Sequence, residues 1–76
     1  MEIKNILIMG AGHGIGLSLV KKSIERFSEA KIFASYRLHE RANELLNLSH
    51  ENLISCKVDP SLEEDISSFK DKILEH

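Results

Sequence analysis

Tryptophan is absent from these 76 residues, and tyrosine, proline and cysteine each occur once. A lone cysteine, Cys56, excludes an intramolecular disulfide framework. No apolar run approaches the roughly 18 residues of a transmembrane helix. The N-terminus lacks the basic segment followed by an apolar stretch that marks a signal peptide, so a cytoplasmic protein is the default expectation. Positive charge is not in excess either. Ten Lys and Arg stand against twelve Asp and Glu, a net charge of −2, which argues against a dedicated binder of nucleic acid or anionic membrane. The length lies below the usual domain range of about 100–200 residues, so the chain is one domain at most. A domain this small buries only about 60% of its unfolded surface and has a thin core. The composition, 42% hydrophobic and 29% charged, with a mean hydropathy of −0.16, is that of a soluble globular protein.

Along the chain the hydrophobic period switches repeatedly. Ile6-Leu7-Ile8-Met9 is a short apolar run closed by glycine, the pattern of a buried strand, and Ile3 is expected to belong to it. From Ile15 to Phe27 the apolar residues Leu17, Val20, Ile24 and Phe27 recur at three- and four-residue spacing, with Lys21, Lys22, Glu25 and Arg26 between them. That spacing predicts an amphipathic helix. Ile32 to Tyr36 reads as a second strand. Arg41 to Leu48 reads as a short helix facing inward with Ala42, Leu45 and Leu46. In Leu53 to Val58, Ile54, Cys56 and Val58 alternate with Ser55 and Lys57. One solvated face places this third strand at or near a sheet edge, with Cys56 on its apolar side as a core residue. Pro60-Ser61 opens a last helix, Ser61 and Glu64 have capping-box spacing, and Leu62, Ile66, Phe69 and Ile73 form its stripe. Glu63, Glu64 and Asp65 suit a helix N-terminus through the dipole. The order β-α-β-α-β-α predicts an α/β fold, a Rossmann-like half in three layers with a parallel sheet in order 3-2-1.

All four glycines fall within Gly10-Ala11-Gly12-His13-Gly14-Ile15-Gly16. A helix N-terminus carries unpaired N–H groups and partial positive charge, and a diphosphate needs both close by. Glycines allow the sharp turn and the close backbone approach. Here the loop follows a strand, opens a helix and starts a βαβ unit, the context a dinucleotide fingerprint requires. The alternative reading is a glycine-rich turn that serves packing alone. His13 could hydrogen-bond a phosphate or be an exposed loop histidine. His13, His39, His50 and His76 lack metal-ligand spacing.

The spacing Gly10-x-x-x-Gly14-Ile15-Gly16 resembles the GxxxGIG cofactor motif of the short-chain dehydrogenase/reductase family. Lys31 to Arg37 (KIFASYR) is similar to that family's second strand and following turn, and Lys57-Val58-Asp59-Pro60 to its third strand ending in Asp. The resemblance spans nearly all of residues 1–76 but only the family's N-terminal cofactor-binding part. It implies a cofactor site of Gly10, Gly12, His13, Gly14, Ile15, Gly16, Tyr36, Arg37 and Asp59. Gly10, Gly14 and Gly16 would frame the diphosphate, Arg37 would lie near the adenosine ribose, and the Asp59 carboxylate near the adenine amine. Two positions depart from the pattern. Met9 replaces the usual Thr before the first glycine and so removes a hydroxyl that would bond the loop. Tyr36 stands where NAD-preferring members often carry an acid, and Arg37 after it can pair with a 2′-phosphate. The expected cofactor is NADP in preference to NAD.

The family's Tyr-x-x-x-Lys pair and its Asn-Asn-Ala-Gly segment do not occur. Tyr36 is the single tyrosine, and Glu40 follows it four residues later. The resemblance therefore implies a cofactor half-site without catalytic residues, the N-terminal portion of an oxidoreductase whose parent moves hydride to or from a carbonyl or alcohol. The alternatives are a nucleotide-binding module without chemistry and an interaction module that dimerises. A homodimer through an exposed first strand is expected in either case, because a strand edge left open is a template for pairing. Leu74-Glu75-His76 resembles a cloning scar leading into a polyhistidine tag, or else is the frayed end of the last helix.

Overall fold

A computed structural model describes residues 3–75. Strand β1 (Asn5–Ile8) runs into the glycine loop and then helix α1 (Gly14–Arg26). Strand β2 (Lys31–Tyr36) is followed by a single 3-10 turn at His39–Arg41 and the short helix α2 (Asn43–Leu46). Strand β3 (Leu53–Lys57) and helix α3 (Glu63–Glu75) complete the unit. The sheet has the order β1-β2-β3, with both pairs parallel. In register, Ile6 lies opposite Ile32, which lies opposite Leu53; Leu7 lies opposite Phe33, which lies opposite Ile54.

This register sorts the side chains into two cores. On one face Ile8, Ile32 and Ala34 pack with Leu17 and Val20 of α1 and Leu45 of α2. On the other, Phe33 and Val58 pack with Phe69 of α3, with Ile54, Cys56 and Ile73 at the margin. The result is three layers, helix–sheet–helix, as the alternation of elements predicts. Burial pushes the Cys56 thiol up, with Lys72 opposing; Cys56 is half-buried at the edge of this second core, not inside it as the alternation predicts.

Four other local readings are corrected. Ile3 precedes the first strand and is 41% exposed. The expected helix from Arg41 to Leu48 is split into the 3-10 turn and the four residues of α2. Asn43 and Asn47 bound that short segment, and Asn favours helix termini over interiors. There is no capping box at Ser61, because α3 begins at Glu63 and the Ser61 hydroxyl donates to Asp59 Oδ1 (2.7 Å). Asp65 instead reaches back, its Oδ2 accepting the Asp59 N–H at 2.9 Å. Finally, the stripe of α3 is only partly covered: Phe69 is buried, but Leu62 and Ile66 are about half exposed. Of the C-terminal tripeptide, Leu74 and Glu75 form the last turn of α3, and His76 lies outside the described residues.

Candidate functional site: the glycine loop

The loop between β1 and α1 lies at the C-terminal edge of the sheet, where open α/β sheets bind ligands. Its four glycines divide into two kinds. Gly10 and Gly14 have φ of +69° and +62°, in the left-handed region that costs other residues roughly 1–2 kcal/mol. A Cβ on either would meet no protein atom within 4 Å, so the space over both is open. Gly12 and Gly16 are held by contact. A Cβ on Gly12 would lie 3.2 Å from Tyr36 Cβ and 3.4 Å from Ala42 Cβ. One on Gly16 would lie 2.1 Å from the Gly10 carbonyl oxygen and 2.9 Å from Ala11 Cα. The first turn of α1 is thus folded directly onto the loop backbone. His13 occupies the N-cap in extended conformation (φ −159°) and makes no side-chain capping bond.

The hydroxyl missing at Met9 is supplied from the neighbouring strand. Ser35 of β2 is 2% exposed, a polar residue buried beside the apolar Ile32, Phe33 and Ala34 of the same strand. Its Oγ accepts the Gly10 N–H at 3.2 Å and donates to Met9 Sδ at 3.4 Å, while its carbonyl accepts the Ala11 N–H at 2.6 Å. Ser35 therefore ties the start of the loop to the sheet. Ser35→Ala leaves the Gly10 N–H without its acceptor, at about 1–3 kcal/mol. The expected outcome is a melting temperature lower by roughly 4–8 °C per kcal/mol and faster exchange of the Gly10 amide. An unchanged melt and unchanged exchange would show that Ser35 does not hold the loop.

Beside the loop is a cavity of about 240 Å³. Gly10, Gly12 and His13 form one side, and Tyr36, Arg37, Leu38 and Arg41 the other. The Tyr36 and His39 rings lie with centroids 6.2 Å apart, tilted by 57°. Five of the nine expected residues (Gly10, Gly12, His13, Tyr36 and Arg37) thus meet in one place. Gly16 supports them from behind. Gly14 and Ile15 lie instead along an open depression on the outer side of α1, with Ser18, Leu19, Lys22 and Arg26, and Ile15 is 82% exposed.

Asp59 stands next to this group and not in the wall of the cavity. The Val58 N–H donates to the Tyr36 carbonyl (2.8 Å), which brings the ends of β2 and β3 together. Asp59 Oδ1 accepts from both the Oγ and the N–H of Ser61, and these bonds, aided by Arg37 and Lys57, hold its carboxyl below the usual aspartate range. It is a carboxylate at neutral pH.

Ser35, Leu38 and Arg41 are not signalled by the glycine motif. A serine within Ile32 to Tyr36 is the one polar interruption of that run and could have marked Ser35. Arg41 is brought back to the cavity by the 3-10 turn, in which the Arg41 N–H donates to the Leu38 carbonyl at 3.1 Å.

Comparison with known proteins gives no matching family model and no matching curated protein. Among solved structures, the chain is similar to Sniffer of Caenorhabditis elegans, a protein assigned as a carbonyl reductase, with a TM-score of 0.90 and 25% sequence identity. The match covers 99% of this chain and 31% of that one, so the 76 residues correspond to about a third of that protein. The architecture is a Rossmann-like βαβαβα unit, and its structural likeness is to a protein assigned as a carbonyl reductase. Among the described residues no helix is long and apolar enough to cross a membrane.

Proposed function

We propose that the chain binds a nicotinamide dinucleotide at the glycine loop, as the cofactor-binding part of a short-chain oxidoreductase that acts on a carbonyl or alcohol. The observation that carries the reading is the loop itself. Gly10 and Gly14 keep open space over a turn that Gly16 packs against the N-terminus of α1. Backbone N–H groups at such a terminus, with no side-chain cap at His13, suit a diphosphate. The adjoining cavity, walled by Tyr36 and Arg37, suits the adenosine end. Asp59, ionised and one strand away, suits the adenine amine. The bound cofactor supplies the hydride donor or acceptor, and these residues bind and orient it. With no Tyr-x-x-x-Lys pair among the 76 residues, the reading assigns them no catalytic role.

NADP is the preferred dinucleotide on this reading. The position of Tyr36 holds no acid to receive the ribose hydroxyls, and Arg37 can pair with a 2′-phosphate. Titration calorimetry is expected to show NADPH binding more tightly than NADH, and Arg37→Ala is expected to erase the difference. NADH binding as tightly as NADPH would remove Arg37 from the site.

A second reading, an association module, is favoured by one observation. β1 has a single sheet neighbour among the described residues, and its exposed Leu7 and the adjoining Met9 are apolar. We propose a homodimer through this strand, compatible with cofactor binding.

A further inference from the structure

Met9 joins β1 to the glycine loop and is the one methionine among the described residues. It is 50% exposed, whereas the group it touches is closed off from water: Ser35 is 2% exposed. The Ser35 hydroxyl links the two strands. Its proton goes to Met9 Sδ at 3.4 Å, and its oxygen accepts the Gly10 N–H at 3.2 Å. Pointing the hydroxyl proton at sulfur leaves the oxygen lone pairs free for Gly10. Gly10, with its φ of +69°, begins the turn. A half-exposed thioether therefore orients a buried hydroxyl, and that hydroxyl holds the start of the loop.

We propose that Met9 is an oxidation site, and that its conversion to the sulfoxide by a peroxide releases the start of the glycine loop. A lone pair of Sδ attacks one oxygen of hydrogen peroxide. The S–O bond forms as the O–O bond breaks, so the sulfide is oxidised and the peroxide reduced. The other oxygen leaves as hydroxide, takes the proton shed by the transferred oxygen and departs as water. Accessible thioethers undergo this change, which turns a flexible apolar side chain into a polar one and is reversed by methionine sulfoxide reductases. The new oxygen has no room on the 3.4 Å line between Sδ and Ser35 Oγ, so the oxidised side chain turns outward to water. The Ser35 hydroxyl then lacks its acceptor, and a buried donor without a partner is costly. The backbone at Gly10 gives way to restore one. The modification and the release involve no ligand and go beyond the dinucleotide reading; only the expected loss of binding rests on it.

The test treats the chain with hydrogen peroxide, locates the added oxygen by peptide mass spectrometry and follows amide exchange. Gly10 is expected to exchange about tenfold faster or more in the oxidised protein, the ratio implied by loss of one hydrogen bond, and a methionine sulfoxide reductase is expected to reverse the change. Met9→Leu forms no sulfoxide at this position and retains Met1 and Cys56, so peroxide should leave its exchange at its own starting rate. In Ser35→Ala, oxidation of Met9 should add nothing further. Leu7→Lys is measured in parallel, so that pairing of first strands does not shield the sulfur. Met9 that stays reduced in both proteins while free methionine in the same solution oxidises would overturn the proposal. So would a sulfoxide with unaltered Gly10 exchange, or an equal response in Met9→Leu. NADPH affinity, by calorimetry, is the separate readout and is expected to fall several-fold on oxidation; equal affinities before and after would overturn the effect on the site. A reduced protein that binds no NADPH would overturn the dinucleotide reading, and amide exchange would still decide the release of the loop.

Discussion

Gly16→Ala is expected to lower the melting temperature by more than any other single methyl added to the loop. The added Cβ would stand 2.1 Å from the Gly10 carbonyl oxygen and 2.8 Å from its carbon. These are backbone atoms, pinned by Ser35 at Gly10 and Ala11, and they cannot rotate aside as a side chain does. Either α1 lifts from the loop or the loop leaves the sheet. Overpacking of this kind costs about 1–3 kcal/mol where side chains can yield, and the upper end is expected here. A chain of this length has roughly 4–11 kcal/mol of stability in total, so the loss is a large fraction. At about 4–8 °C per kcal/mol the fall in melting temperature exceeds roughly 10 °C. Gly14→Ala is the control. Its Cβ would meet nothing, but the φ of +62° remains, and it should cost only about 1–2 kcal/mol. Thermal melts followed by circular dichroism decide between them. Equal melts for the two variants would mean that the close approach of Gly16 to Gly10 is not what shapes the loop.

The open edge of β1 is expected to make the protein a dimer at micromolar concentration, and Leu7→Lys is expected to make it a monomer. The Lys4 carbonyl accepts the Lys31 N–H at 2.9 Å. Because a parallel pair uses every second residue of an edge strand, Ile6 and Ile8 turn their backbone toward β2, and Asn5 and Leu7 turn theirs outward. No proline or bulge blunts this strand. Leu7 and Met9 are 55% and 50% exposed, because α3 packs over Phe33 and Val58 and does not reach β1. Two copies pairing their first strands antiparallel about a two-fold axis would satisfy the outward groups and cover both leucines. A lysine at position 7 puts charge on that surface, a device natural edge strands use against pairing, and it leaves the bonds of Ile6 and Ile8 to β2 intact. Sedimentation equilibrium reads the result. A wild-type species of 8.6 kDa would overturn the dimer, as would a Leu7→Lys variant that still sediments as one.

The glycine cluster was legible as a tight turn from a strand into a helix because its context is local. A strand, a turn and a helix within about twenty residues need no distant partner to be recognised. The individual tasks of its glycines were not. Gly16 and Gly14 look alike in the sequence, and only the path of the backbone shows that one is fixed by a neighbouring carbonyl and the other by its dihedral angle. In the same way Met9 in place of threonine reads as a lost bond until β2 is laid alongside β1, which brings Ser35, 25 residues away in sequence, within 3.2 Å of the Gly10 N–H.

Periodicity alone determined the order of elements, the parallel sheet, the edge position of β3 and the inward faces of Leu17, Val20 and Phe69, because the spacing of apolar residues states directly which side must leave water. It could not say how far each helix covers the sheet. Leu62 and Ile66 continue the stripe of α3 as regularly as Phe69 does, yet they stay half exposed, since coverage depends on what lies opposite. Nor could it join Arg41 to Arg37 in one cavity wall, or set Asp59 beside them. Those placements depend on a 3-10 turn and on the pairing of β2 with β3, contacts between residues distant in the chain that form only when the sheet does.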